Sequence, residues 1–237
     1  MAGALALLAA AAGAAAPATA AATSATFKLT VYGVQHYVYE SWHDVVGEPS
    51  CLSIRGTYTE GSTLRFTSVR PVRVRVTARR GRLSFQRLSR ADTLFLLPGK
   101  GTYEASGVDV QQAYDCQTSS WVDDDPPERP DCPATQIDGL GIDVFSPGRG
   151  RVAVRGGLEL PPLGPLSECT RGDLSWELYE ATSRVDAGEL LSGDAREAEL
   201  VLRARQVERD ESPGGTTKDG YERVRKATVY VNLTRLG

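Results

Sequence analysis

Between Arg65 and Arg90 the chain carries nine arginines (65, 70, 73, 75, 79, 80, 82, 87 and 90) and no Asp or Glu. Guanidinium groups hold phosphates and carboxylates through paired N–H donors, so a row of them suits an anionic polymer. Within the run, Arg73 and Arg75 alternate with Val72, Val74 and Val76. In a strand with buried valines, those arginines project together on the wet face. Arg73, Arg75, Arg79 and Arg82 are therefore the candidate ligand-binding cations, for an anionic wall polymer or an acidic glycan. The plainer alternative is a solvated sheet face whose charge prevents edge-to-edge pairing.

A second candidate is aromatic. Tyr37 and Tyr39 share parity on a strand and would form a two-ring platform for sugar rings if they face outward, whereas core packing is the commoner fate of such rings. Two further features invite chemistry and give less. Asp123, Asp124 and Asp125 open an acidic, proline-rich stretch that ends at Asp131, and oxygen ligands of this kind suit calcium. The EF-hand spacing is missing and the prolines spread the carboxylates, so the main reading is a solvated loop and no cofactor. His36 and His43 are the two histidines, seven residues apart, and no C-x-x-C accompanies them; this is not zinc spacing. No G-x-S-x-G, S-x-x-K or H-E-x-x-H motif appears.

Cys51, Cys116, Cys132 and Cys169 form an even set, which in an exported chain implies two disulfides. Four cysteines allow three connectivities. The preferred reading joins Cys116 to Cys132 and Cys51 to Cys169. The local bridge would tie off an irregular segment, 117–131, that lacks the apolar residues to order itself.

These groups must be positioned by strands, because the chain beyond the N-terminus reads as strands almost throughout. Alternation is strictest over residues 72–78. It returns at the C-terminus, where Ala227, Val229, Val231 and Leu233 face one way and Lys226, Thr228, Tyr230 and Asn232 the other. Its expected partner is 199–207, across a turn-rich linker at 212–220. Further strands are expected at 27–39, 52–55, 62–68, 82–87, 93–97, 103–114, 136–145, 151–160 and 174–179. The helix-compatible stretch is 186–199. Short strands punctuated by Gly and Pro imply an all-β fold: an antiparallel β-sandwich, or a barrel-like relative, with long Pro/Gly-rich loops.

Residues 1–22 are apolar, small and uncharged, with small-x-small sites near Ala20, and read as a secretory signal peptide whose cleavage falls as late as residue 25. Residues 26–237 then form one β-rich domain; the alternative is two β domains split near 123–133 or 161–165. No later stretch suits a transmembrane anchor. The net charge of −3 argues against a nucleic-acid partner, and arginine-rich, lysine-poor usage fits a GC-rich bacterial genome. The expectation is a secreted or cell-envelope, non-catalytic binding or structural protein. The alternative is a secreted carbohydrate-active hydrolase whose carboxylate pair the sequence does not locate. N-terminal sequencing of secreted material should find a first residue between Thr19 and Thr26; material still beginning at Met1 would remove the basis for export.

Overall fold

A computed structural model describes residues 23–88, 95–124, 131–158, 178–192 and 196–237. Among the described residues there are eleven strands and one short helix. They are β1 (Thr23–Val45), β2 (Ile54–Ser68), β3 (Val72–Arg79), β4 (Arg82–Arg87), β5 (Leu97–Asp115), β6 (Ser120–Asp123), β7 (Asp131–Gly148), β8 (Arg151–Leu158), β9 (Leu178–Arg184), α1 (Ala187–Leu191), β10 (Glu197–Gly214) and β11 (Thr217–Arg235). All pairings are antiparallel and belong to one sheet. From β11 the order runs through β10, β9, β8, β7, β5 and β2 to β1, and β11 pairs with β1 as well. These eight strands therefore form a closed circuit of hydrogen-bonded neighbours. The β3–β4 hairpin joins it at the first part of β1, where Thr23↔Ala78 through Leu29↔Val72 are partners.

Alternation decides what each strand buries. In β1, Phe27, Leu29 and Val31 are at most 1% exposed, while Lys28 and Tyr32 lie open. The register continues that face across the sheet: Val31 stands opposite Val231, and Val231 opposite Leu200. Val74, Val76, Leu97, Leu140, Ile142, Val152, Val154 and Leu202 complete the core from the other strands. Burying each such side chain contributes roughly 1.5–3 kcal/mol. Gly33 makes room for the largest of its neighbours, because a Cβ there would lie 2.8 Å from the Phe66 ring.

Helix α1 packs Leu190 and Leu191 into the same core. Its ends are capped by the chain itself. The Asp186 carboxylate accepts the Gly188 and Glu189 amides, and the Arg235 guanidinium donates to the Leu191 and Ser192 carbonyls.

The strand at 72–78 and the pairing of the C-terminal strand with 199–207 agree with the sequence reading. Two local readings are corrected. The 212–220 linker is mostly ladder, since β10 and β11 stay paired up to Gly214↔Thr217. The helix-compatible stretch yields only five helical residues before β10 begins at Glu197. The strand expected at 174–179 lies largely outside the described residues, as do 93 and 94 of the strand expected at 93–97; Leu97 opens β5.

The disulfide pairing is also corrected. Cys51 bonds Cys116, with Cα atoms 5.3 Å apart. Neither Cys116–Cys132 nor Cys51–Cys169 can then form; Cys169 and the side chain of Cys132 lie outside the described residues. The cause is the β2–β5 ladder. It ends at Ile54↔Ala113, and three residues farther along each strand the chain reaches Cys51 and Cys116. After Cys116, residues Ser120–Asp123 are ordered by strand pairing, because β6 folds back on β5 through Tyr114↔Trp121. Non-reducing peptide mapping should recover a Cys51–Cys116 cross-link. Replacing both residues with Ser should cost on the order of 2–4 kcal/mol in denaturant melts.

Candidate functional site

The arginines expected to project do so. Val72, Val74 and Val76 are at most 4% exposed, while Arg73, Arg75, Arg79 and Arg82 face solvent. Register adds Lys28 opposite Arg73, and sets Arg79 opposite Arg82 across the β3–β4 turn. That turn is a two-residue loop, Arg80-Gly81, with φ of 51° and 73°. The β7–β8 turn repeats it: Arg149-Gly150, with φ of 54° and 65°, closed by Gly148↔Arg151. Positive φ at both central positions is the signature of a type I′ turn, whose usual residues are Asn, Asp and Gly.

Both turns read Arg-Gly-Arg, and they touch. The Gly150 amide donates to the Gly81 carbonyl at 2.9 Å, and Val185 donates to the Gly150 carbonyl at 2.7 Å. The second bond draws in the end of β9, where Arg184 stands opposite Arg151. Arg80, Arg149, Arg151 and Arg184 therefore extend the expected patch into a cationic pole built from three chain segments. Among the described residues no ion pair joins any arginine of this surface to a carboxylate. Asp186, the next acid along the chain, is turned into the cap of α1. The sequence shows the two Arg-Gly-Arg triplets but not their contact, which arises only when β4 and β7 come together.

Tyr37 and Tyr39 do share a face, but it is the inner one. Tyr37 is 7% exposed, so the outward platform is corrected: alternation from Phe27, Leu29 and Val31 carries both tyrosines inward. Toward the far end of the long strands this inner face turns from apolar to polar. Tyr39 lies 6.1 Å from both Tyr58 and Tyr221, and the Arg223 guanidinium sits over Tyr39 and Tyr221 at 5.5 and 5.0 Å. Tyr221 donates to Glu208 at 2.9 Å. Arg225 lies over Tyr37 at 5.8 Å. Guanidinium groups stacked on phenol faces are held by ring quadrupoles and by charge together.

Glu60 is the most confined acid of this face, only 6% exposed. Its Oε2 accepts from the Tyr58 hydroxyl at 2.9 Å, and its Oε1 has no partner in the structure. Burial raises its pKa, and the Tyr58 bond offsets this in part. Asp109 stands opposite Tyr58 on β5, which makes it a diagonal neighbour of Glu60. A cavity of about 390 Å³ opens beside them, lined by Ser41, His43, Gly56, Tyr58, Asp109 and Gln111 among others. His43 is paired with Asp219 through Nδ1. On the outer face a groove of about 540 Å³ follows the missing side chain of Gly61, between His36, Val38, Thr63 and Glu104.

The remaining sequence candidates are scattered. Asp123 is held by Gln112 at 3.0 Å, Asp124 is exposed, and Asp125 lies outside the described residues. His36 bonds Thr63 on the outer face, remote in register from His43. Compared with protein-family models and with curated proteins, the chain matches none.

The raised pKa of Glu60 has a stability consequence. A carboxyl whose native pKa lies above its unfolded value contributes stability below the ordinary range near 4.5, and that contribution is lost as pH rises through the native value. Glu60→Gln removes the ionisation. Relative to wild type, its melting temperature should be higher at about pH 7.5, and the advantage should vanish at about pH 4. A constant difference across that range would show that Glu60 stays ionised at no cost.

Proposed function

We propose that this chain is an exported, non-catalytic binding protein that holds an anionic polymer, such as a wall polymer or acidic glycan, on its arginine surface. The barrel-like reading of the fold rests on the β1–β11 pairing that completes the circuit of strands. Among the described residues, no helix is long and apolar enough to cross a membrane.

One observation carries the reading. Arg80 and Arg149 occupy left-handed backbone positions in two abutting turns. That conformation costs an ordinary L-residue roughly 1–2 kcal/mol, and Asn or Gly would relieve the strain. Charge stands there despite the strain, beside Arg79, Arg82, Arg151 and Arg184, and among the described residues no acid is paired to it. A polymer with regularly spaced anions would be steered to such a pole and held by it, more weakly as salt shortens the screening length.

The hydrolase alternative would draw on Glu60 and Asp109. Glu60 ranks behind because its free oxygen is buried beneath Tyr58's strand face, out of reach of a glycosidic bond.

The test uses substitutions suited to the turns. Arg80→Asn with Arg149→Asn should leave the melting temperature unchanged or raise it, because Asn tolerates positive φ. The same pair should elute from heparin-agarose at lower salt than wild type. Two lost contacts at about 0.2–1 kcal/mol each weaken binding roughly 2- to 30-fold. Arg73→Ser with Arg75→Ser should act in the same direction. If wild type is not retained, or both pairs elute with it, the arginines are only a solvated face.

A further inference from the structure

We propose that the inner face around Gly56, at the far end of the long strands from the arginine turns, is a second binding site that takes one neutral sugar residue through its hydroxyl groups. The site is independent of the arginine surface. It is built across β1, β2 and β5, where Ser41 faces Tyr58 and Tyr58 faces Asp109, and in the next inward row His43 faces Gly56 and Gly56 faces Gln111. Gly56 contributes no side chain between two neighbours that do, and a recess of about 390 Å³ opens beside them. That size lies within the range of small-molecule pockets, and one of its walls, Tyr58, is aromatic.

The lining is rich in acceptors. Tyr58 donates its proton to Glu60, and a phenol oxygen is an acceptor as well as a donor. His43 has Nδ1 engaged by Asp219; in the neutral ring with the proton on Nδ1, Nε2 is an acceptor as well. Asp109 is acceptor-only when ionised, and the Ser41 hydroxyl accepts or donates. Such a lining asks for a ligand that brings donors and an apolar face to lie on a ring; a pyranose has both. An anionic ligand is disfavoured at the recess itself, because Asp109 lines it and Asp219 is paired to His43 beside it, whereas Arg223 and Arg225 stand farther along the face over Tyr39, Tyr221 and Tyr37.

The experiment is isothermal titration of the intact protein with glucose, galactose, mannose and arabinose in turn. At least one should bind wild type with little dependence on salt. Asp109→Asn, a near-isosteric change at a half-buried position, should weaken that binding roughly tenfold or more, as expected for losing a hydrogen bond to a charged acceptor. Tyr58→Phe should weaken it as well, with its melting curve checked in parallel. Arg80→Asn with Arg149→Asn should bind the sugar as wild type does, so failure at the arginine surface and failure here are separable. The proposal is overturned if none of the four sugars binds, if binding vanishes as salt rises, or if Asp109→Asn binds unchanged.

Discussion

The ladder between β1 and β11 is the constraint on which the other features depend. It runs from Phe27↔Arg235 to Val45↔Thr217, nearly the length of both strands, and it closes the circuit that the other pairings leave open. β1 carries β3 on its other edge over its first part and β2 over the rest. Because side chains alternate with period two, the register of this one strand sets the inward residue of every row across the sheet. A slip by one residue would send Phe27, Leu29 and Val31 outward and bring Lys28, Tyr32 and His36 in.

Along that inner face the chemistry changes while the backbone does not. From Phe27 to Gly33 the rows are filled by valine, leucine and phenylalanine, and α1 closes that end with Leu190 and Leu191. From Gln35 onward the same parity delivers Tyr37, Tyr39, Ser41 and His43, with Glu60, Arg223 and Arg225 beside them. The apolar rows supply most of the burial that stabilises the fold. The polar rows are therefore free to hold groups that a core could not accept, such as a carboxyl with one orphan oxygen. Long ladders extend past the core, so that end is carried by strand pairing and by tyrosine–arginine stacking.

Charge is divided between the two ends of the strands. A net charge of −3 conceals an arginine pole at one end and, at the other, Glu208, Asp210, Asp219 and Asp109 on a single face with Arg223 and Arg225 among them. The two ends of the strands therefore differ in charge. The pole carries a field of one sign, whereas charges of both signs meet at the other end, where Arg223 pairs with Glu208.

Local pattern was enough to determine that this chain is built of antiparallel strands, that Val72, Val74 and Val76 are buried beneath Arg73 and Arg75, and that the C-terminal strand folds back on the strand before it. Each follows from alternation or from turn residues, which act over a few positions. What only the tertiary structure decided is non-local: that Cys116 meets Cys51, that Tyr37 and Tyr39 point inward, that two Arg-Gly-Arg turns far apart in sequence abut, and that Glu60 is buried behind Tyr58. Period-two alternation says that two residues share a face but not which face it is, and it carries no information about which strand lies alongside. Those choices are made by register, when each ladder is matched so that all of its apolar rows enter one core.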